Sequence, residues 1–327
     1  MYEILSQIDD IRLNFSEGGL LYMNITLAII MFGVALDIKY EHFKNIVQYP
    51  KSAILGVFSQ IVVLPALTYI LVILLNPPPS IAMGMILIAA CPGGNISNFI
   101  SALAKANVAL SVSLTAISTL TATFVTPINF AFWGGMYVRY FEKARHLNVP
   151  IEIDFLQMAQ TVFILLGVPL IAGMWIGYKF PEISKKYHKT IRTTSIILYM
   201  TFIVGALIAN AKYIPMVILP LGFVVMLLNA QTLFTGYFVS TIFKLPRADR
   251  RTISIETGIQ NSGLALVLIF NPKLFNANGG MAFMAAWWGI WQMITGIGLA
   301  FLLSKIRLRD YKWSAISSSE KSDPEAN

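Results

Sequence analysis

Long apolar segments separated by short polar stretches run through most of the chain. Nine of these segments are about 17 residues or longer, which is enough to cross a bilayer core of roughly 30 Å as a helix. The pattern predicts an all-α polytopic membrane protein with one transmembrane domain over about 20–304. Residues 1–19 are predicted as an amphipathic extracytoplasmic segment and 305–327 as a cytoplasmic tail with a disordered end. The predicted spans are about 20–36, 52–75, 81–104, 108–136, 155–177, 193–211, 214–242, 252–270 and 281–304.

Two of these spans are interrupted by residues that do not continue a helix. The third contains Cys-Pro-Gly-Gly-Asn-Ile-Ser-Asn at 91–98, and the eighth contains Glu-Thr-Gly-Ile-Gln-Asn-Ser-Gly at 256–263. Proline and glycine disrupt helical hydrogen bonding, and at membrane depth the freed backbone groups must lie inside protein or beside a wet cavity. Two interrupted spans in corresponding positions of two halves indicate the binding site of a secondary transporter.

The distribution of charge predicts how the spans are oriented. Hydrophobic residues are 56% of the chain and charged residues 12%, whereas soluble domains carry about a quarter charged residues. Of the 24 Lys and Arg, 18 fall in the tail or in the loops after spans one, three, five and seven, which predicts an outer N-terminus and a cytoplasmic C-terminus. The net charge of +8 therefore reports orientation and not nucleic-acid binding. The third and eighth spans run in opposite directions, which predicts inverted repeats and alternating access.

A single acidic residue falls inside a predicted span. It is Glu256, one of 16 Asp and Glu, and no Lys or Arg is predicted at that depth. A carboxylate in the membrane costs at least roughly a few kcal/mol, so residues of this kind are usually functional. The partner of Glu256 is then a bound cation or a proton. The alternative interpretation is a protonated group, or one near a helix end that reaches water.

Neutral oxygen donors near the two breaks favour a cation. Ser111 and Thr115 are four residues apart and share one helix face, although such hydroxyls also commonly bond to backbone or join helices. One carboxylate among neutral oxygens is a weak field for calcium or magnesium and suits a monovalent ion. The candidate donors are the side chains of Gln60, Ser97, Asn98, Ser111, Thr115 and Gln260, with the backbone carbonyls of Thr257 and Ile259.

The start of each half-helix after a break is a candidate site for an anion, because its free N–H groups carry the positive end of the helix dipole. The residues at these starts are Asn95 and Ile96 in the third span, and Asn261 and Ser262 in the eighth. Gln292 in the ninth span is a further candidate for substrate contact, and interhelical hydrogen bonding is its alternative role. The tryptophans Trp133, Trp287, Trp288 and Trp291 are predicted as membrane-interface anchors.

The motifs at 91–98, 250–254 and 256–261 resemble those of the bile acid:sodium symporter family, and the resemblance extends over about residues 20–305. It implies a nine-helix fold with inverted repeats, in which a core domain containing two crossing discontinuous helices packs beside a panel domain. The core would contain spans two to four and seven to nine, and the panel spans one, five and six. The resemblance also implies two sodium sites, one formed by Ser97, Asn98, Ser111, Thr115 and Glu256, the other by Gln60, Glu256, Gln260 and the carbonyls of Thr257 and Ile259.

The expected function is sodium-coupled symport of an organic anion, bile-acid-like or a smaller carboxylate, by a monomer in the lipid of a plasma or bacterial inner membrane. One alternative is a sodium/proton antiporter-like exchanger, although such proteins usually need an intramembrane Asp; a pH-gradient assay without organic anion discriminates the two. Another is a receptor or sensor built on a transporter fold. An enzyme is not expected, because the three histidines all fall in predicted loops.

Overall fold

The computed structural model describes residues 17–36, 50–145, 155–209 and 214–305, together with Leu5 and Lys212. These residues form helices and turns and contain no strand, only one isolated β-bridge. Short π-helical segments lie at Ser59–Val63 and Phe163–Gly167. The helices are α1 (Glu17–Leu36), α2 (Pro50–Phe58), α3 (Leu64–Leu75), α4 (Pro79–Ala90), α5 (Ile96–Leu103), α6 (Val108–Arg145), α7 (Phe155–Val162), α8 (Val168–Lys179), α9 (Pro181–Ala209), α10 (Ile214–Ile242), α11 (Arg247–Gly258), α12 (Ser262–Phe270) and α13 (Gly279–Lys305).

Within the described residues, five helical stretches are long and apolar enough to cross a membrane. Large apolar side chains on their outer faces stay exposed, as at Leu74 (76%) and Leu219 (82%), which suits contact with lipid. The chain therefore has the architecture of a helical membrane protein. The five stretches are Pro50–Leu75, Val108–Lys143, Phe155–Lys179, Ile218–Ile242 and Gly279–Lys305, and two shorter apolar helices are Asn24–Gly33 and Pro79–Ala90.

Both predicted interruptions are present, and the two unwound segments cross each other. The first lies between α4 and α5, the second between α11 and α12. They meet in an antiparallel bridge between Gly93 and Gln260. The N–H of Gly94 donates to the carbonyl of Ile259 at 2.9 Å, and the N–H of Asn261 donates to the carbonyl of Pro92 at 2.8 Å. Backbone groups freed by the breaks thus bond to one another inside the protein, as the hydrocarbon environment requires.

The two halves of the chain repeat the same order of elements. Each contains a long helix, an interrupted helix and a second long helix, over 50–145 and 214–305. The last helix of each half also begins in the same way. The side-chain oxygen of Asn107 accepts from the N–H of Leu110 at the start of α6, and that of Asn278 accepts from the N–H of Met281 at the start of α13, both at 3.1 Å. These are N-caps of the same kind.

A proline accounts for an unusual hydrogen bond beside the crossing. Pro65 in α3 has no N–H, so it cannot bond to the carbonyl of Ile61 one turn earlier. That carbonyl lies in the π-helical segment and accepts instead from the side-chain amide of Asn129 in α6, at 3.0 Å. The bond joins α6 to the long helix of the same half at the level of Gln60.

Three polar connections are shorter than predicted. Helix α6 continues to Arg145 instead of ending at 136, and Tyr137 and Phe141 are buried with ring centroids 5.8 Å apart. Helix α9 begins at Pro181, so most of the basic stretch at 179–192 is helical. Helix α11 begins at Arg247, within the stretch predicted as a loop at 244–251. The charges alone indicated loops here, but Lys and Arg are good helix formers. In addition, α9 begins at a proline and α11 directly after one, and proline favours the start of a helix.

The early start of α11 adds two buried charged residues to the helix that carries Glu256. Asp249 and Arg251 lie in the same helix and are 3% and 4% exposed. The Asp249 carboxylate accepts from the Ser52 hydroxyl at 2.6 Å and from the Asn107 side-chain amide at 2.8 Å. These three side chains, the Asp249 cluster, join the starts of α2, α6 and α11. Arg251 donates to the carbonyl of Ala104, which adds the end of α5.

Several predictions lie outside the described residues. They concern the amphipathic segment at 1–19 apart from Leu5 and residues 17–19, the connections at 37–49 and 146–154, and the tail beyond Lys305.

Candidate functional site

Glu256 lies in α11, two residues before the second break, and is 2% exposed. Its Oε2 accepts hydrogen bonds from the hydroxyls of Ser97 at 2.6 Å and Ser111 at 3.0 Å, and its Oε1 accepts from the hydroxyl of Thr115 at 2.7 Å. In the described part of the chain, every bond to this carboxylate comes from a neutral hydroxyl. Burial of an unpaired negative charge is costly, so the arrangement calls for a positive charge that the protein does not itself supply here.

Asn98 lies beside these hydroxyls and contacts that of Thr115. The Thr115 hydroxyl lies 3.2 Å from the Asn98 side-chain oxygen and 3.4 Å from the Ser97 hydroxyl. The first predicted set of cation ligands, from α5, α6 and α11, is therefore gathered around one carboxylate. The helical spacing of Ser111 and Thr115 accounts for their common direction. We call these five side chains the Glu256 cluster: Ser97, Asn98, Ser111, Thr115 and Glu256.

Gly93 in the first break makes room for the carboxylate. A Cβ built at Gly93 would lie 2.6 Å from Oε1 of Glu256 and 2.7 Å from Nε2 of Gln60, closer than real Cβ contacts. Any side chain at this position would displace one of the two groups. The break was predicted from the loss of helical structure, but this close approach could not be recognised without the partner segment.

The last three carbonyls of α11 have no partners within the helix, because a helix leaves its final carbonyls unpaired. Each accepts from a side-chain amide instead. The sequence predicted Gln60 and Gln260 near this point, but it did not single out Asn229 in α10. The only feature that could have indicated Asn229 is its position as a polar amide within a mostly apolar span. The bonds run from Gln60 to the Glu256 carbonyl (3.4 Å), from Gln260 to the Thr257 carbonyl (2.8 Å) and from Asn229 to the Gly258 carbonyl (3.1 Å).

The second predicted set of ligands thus surrounds the C-terminal end of α11, where the helix dipole is negative. Gln260 is 1% exposed, and its Oε1 is enclosed without a hydrogen-bond partner. A buried unpartnered oxygen is expensive, and a cation would satisfy it. The Ile259 carbonyl is engaged by the N–H of Gly94, and the Thr257 hydroxyl lies 3.2 Å from that of Ser59.

Gln292 holds the second break through its backbone. Its Oε1 accepts from the N–H of Gln260 at 2.9 Å, and its Nε2 donates to the carbonyl of Gln260 at 3.0 Å. The side-chain amide of Gln292 thus pairs with Gln260 as a neighbouring strand would, on the edge opposite Gly93. These bonds favour the interhelical role that was the alternative for Gln292.

The four residues predicted to contact an anion all lie at half-helix starts. Ile96 and Ser262 are the first residues of α5 and α12, and Asn95 and Asn261 precede them. The two asparagines differ in their bonding. Asn261 caps α12 by accepting from the N–H of Leu264 at 3.0 Å, whereas Asn95 makes no cap bond and its Oδ1 is enclosed without a partner.

The prediction of an interface anchor is wrong for Trp288. This side chain is completely buried, and the indole N–H groups of Trp287, Trp288 and Trp291 are all enclosed without a partner. Trp133 is partly buried and packs against Tyr69, with ring centroids 5.4 Å apart. The residues of α13 that face inward here are aromatic because they fill the space between helices.

Among the described residues no group of three or more His, Cys, Asp or Glu is placed to hold a metal ion. Transition metals and calcium prefer more charged or softer ligand sets than the Glu256 cluster provides. A single carboxylate with hydroxyl, amide and carbonyl oxygens suits a monovalent hard cation.

Comparison with known proteins places the chain in a family. The family model described as the Sodium Bile acid symporter family matches residues 24–216. The chain belongs to the sodium bile acid symporter family. Together with its apolar helices, membership of this family makes it a multi-pass membrane protein.

Relatives of this symporter family are similar over most of the chain. An uncharacterized sodium-dependent transporter of Bacillus subtilis (strain 168) is 32% identical over 288 residues, covering 87% of this chain and 83% of the relative. The P3 protein of Bos taurus is 31% identical over 264 residues, which are 78% of this chain and 52% of that one. A probable sodium/metabolite cotransporter of Arabidopsis thaliana chloroplasts is 30% identical over 244 residues, 75% of this chain and 58% of the relative. The chain matches little more than half the length of the last two proteins.

Proposed function

We propose that the protein is a secondary active transporter that couples the inward movement of sodium to uptake of an organic anion. The observation that carries this proposal is the Glu256 cluster, in which a buried carboxylate accepts only neutral hydroxyl bonds in the described part of the chain. A cation at this point would relieve the cost of burying the charge. Sodium is the cation named for the relative from Bacillus subtilis.

Two sodium ions would be held around the crossing. The first would lie within the Glu256 cluster, where three hydroxyls could rotate to offer lone pairs. The second would lie at the C-terminal end of α11, held by Gln60, Glu256 and Gln260 with the carbonyls of Thr257 and Ile259. The unpartnered Oε1 of Gln260 supports this second site.

The substrate would be an anion held at the half-helix starts. Backbone N–H groups there favour negative charge, and the candidate residues are Asn95, Ile96, Asn261 and Ser262. The enclosed Oδ1 of Asn95, which has no hydrogen-bond partner, is an acceptor suited to a substrate hydroxyl or amide. Gln292 would act on the substrate indirectly, by fixing the backbone of Gln260 beside Asn261.

Alternating access would follow from the repeated halves. We infer nine spans with an outer N-terminus and a cytoplasmic C-terminus, so that the two repeats are inverted. The helices over 50–145 and 214–305 would form the core, and α1 with 155–209 the panel. Sodium would order the crossing and thereby preform the anion site, after which the core would move against the panel, as a monomer.

A thermal-stability screen of the full-length protein in detergent tests this function. Melting temperature is measured in sodium, potassium and choline salts, each with carboxylates ranging from short-chain acids to bile acids. We expect stabilisation that is specific to sodium and is increased by at least one anion, because a ligand of the native state raises its stability by mass action. Equal melting temperatures in sodium and choline, with or without every anion, would overturn the proposal.

Uptake by proteoliposomes of the anion found in that screen then tests coupling. Glu256→Gln should abolish sodium-driven uptake, whereas Glu142→Gln, a matched change of the partly buried carboxylate in α6, should not. Sodium-driven uptake by Glu256→Gln at the wild-type rate would refute coupling through this residue.

A further inference from the structure

A polar pocket lies beside the crossing and shares only Gln60 with the two proposed sodium sites. It has room for about one water molecule. The pocket lies between the π-helical segment, the end of α4 and the middle of α6, on the side toward Pro79, which the proposed orientation places outside. Its polar lining includes Gln60, Cys91, Ser118, Thr121, Thr126 and Asn129.

Thr126 points to a ligand in this pocket. The residue is fully buried, it lines the pocket, and its hydroxyl has no hydrogen-bond partner. Threonine in a helix ordinarily bonds back to a carbonyl one turn earlier, as Thr121 does to Ile117 at 2.8 Å. A buried hydroxyl left unbonded is unfavourable unless something in the pocket satisfies it.

Two hydroxyls of the lining have only oxygen lone pairs left to offer, because their single protons are used elsewhere. The Ser118 hydroxyl donates to the carbonyl of Thr115, and the Thr121 hydroxyl donates to that of Ile117. The Asn129 amide donates to the carbonyl of Ile61. Acceptor oxygens attract a donor or a cation, and hard cations bind neutral oxygens of this kind.

The pocket adjoins the Glu256 cluster through shared hydrogen bonds. Gln60 lines the pocket, and its amide donates to the Glu256 carbonyl at 3.4 Å. Ser118 bonds to the backbone of Thr115, whose own hydroxyl donates to the Glu256 carboxylate. A cation that moves from the pocket to the Glu256 carboxylate would therefore pass Gln60 and the bonded pair of Ser118 and Thr115.

We propose that this pocket is an entry station for the cation, a weak site of neutral oxygens where sodium exchanges water for protein ligands before it reaches Glu256. The proposal rests on the proposed sodium coupling, and it adds a third binding position on the outer side. Thr126 is the residue that distinguishes this position from the two sites at Glu256, because it contacts neither of them in the described bonds.

The only cysteine in the chain is a reporter for this pocket. Cys91 lines it, and silver ion is a monovalent thiophilic cation that forms a silver–sulfur bond as the thiol proton passes to the buffer. Full-length protein in detergent is mixed with silver nitrate in sodium or choline nitrate, and the remaining thiol is counted after denaturation. Cys91→Ala provides the blank.

We expect silver to react with Cys91 in the folded protein, and sodium to slow that reaction several-fold relative to choline. The protection should persist in Glu256→Gln, because the pocket binds sodium through its own oxygens. It should be lost in Thr126→Val and retained in Thr123→Val, a matched change on α6 of a buried residue outside the pocket lining. Circular dichroism confirms that the variants are folded.

Three results would overturn the entry station: an unreactive Cys91, a reaction rate equal in sodium and choline, or full sodium protection in Thr126→Val. If silver reacts with Cys91 of Glu256→Gln at the same rate in sodium and in choline, the pocket holds a structural water only. Failure of the proposed function is recognised separately, because the wild type would then show no sodium-specific rise in melting temperature. A different combination is a wild type that sodium stabilises while sodium fails to protect Cys91 in Glu256→Gln. That combination contradicts the entry station and leaves the proposed function standing.

Discussion

Thr115 and Glu256 are 141 residues apart in the sequence, and the Thr115 hydroxyl donates to Oε1 of Glu256 at 2.7 Å. The same hydroxyl lies 3.2 Å from Oδ1 of Asn98. One side chain of the first half thus contacts the acidic residue of the second half and a neutral residue of its own half. The proposed ion site is therefore shared between the two halves and cannot form in either one alone.

Replacing Thr115 with valine should weaken the response to sodium. Valine keeps the shape of threonine but removes the hydroxyl, so a buried carboxylate loses one hydrogen bond worth about 1.5–3 kcal/mol and the cation loses a ligand. We expect a smaller sodium-dependent rise in melting temperature, measured against choline. Thr115→Ser restores the hydroxyl and should restore most of the rise. A wild-type response in Thr115→Val would show that this hydroxyl is not a ligand.

Gly93→Ala should displace the carboxylate of Glu256 while leaving the helices intact. The added methyl group would lie 2.6 Å from Oε1 of Glu256, which forces one of the two groups to move. We expect expression and helical content close to wild type, with sodium-specific stabilisation lost. Gly298→Ala is the control, because a Cβ there meets nothing within 4 Å, and alanine in a helix is favoured by up to about 1 kcal/mol. The idea fails if both variants keep the sodium response.

Gln292→Leu distinguishes a backbone role from a substrate role. The substitution removes two bonds to Gln260 and leaves its N–H and carbonyl unpaired, at a cost of about 1–3 kcal/mol for each buried group. We expect a lower melting temperature and a weaker sodium response even when no organic anion is present. A purely substrate-binding glutamine would leave the sodium response without anion unchanged, and that result would exclude the backbone role.

Asp249→Asn should lower stability without removing the sodium response. Two donors, the Ser52 hydroxyl and the Asn107 amide, bond to separate oxygens of the carboxylate. Asparagine has one oxygen in place of two, so at least one buried donor loses its acceptor, which costs about 1–3 kcal/mol. Chemical denaturation followed by tryptophan fluorescence measures the loss, and Ser52→Ala should cost less. Loss of the sodium response in Asp249→Asn would instead place this cluster in the ion site.

Much of the crossing could be predicted from the sequence, because its residues are unusual for their position. A Pro-Gly-Gly run and a carboxylate do not occur in an ordinary lipid-facing helix, so 91–98 and Glu256 were recognisable without a structure. Helical spacing predicted a common face for Ser111 and Thr115, and the other oxygen donors were named because they lie near these points. Ser97, Ser111 and Thr115 donate to one carboxylate in the structure.

The partners of the free backbone groups could not be predicted. Asn229 bonds to Gly258 and Asn129 bonds to Ile61, and in each pair the residues come from different helices. Their meeting depends on how the helices pack, which local patterns do not contain. The helical start of α11 was missed for a different reason, since a run of charges was read as a loop although it has good helix propensity.

The antiparallel bridge between Gly93 and Gln260 has a consequence for how the protein is made. During synthesis, the first interrupted span enters the membrane long before residue 260 has been translated. Until then the carbonyl of Pro92 and the N–H of Gly94 lack the partners that they have in the finished protein. In the nascent first half, water or the insertion machinery must therefore satisfy these two backbone groups until the second half has been made.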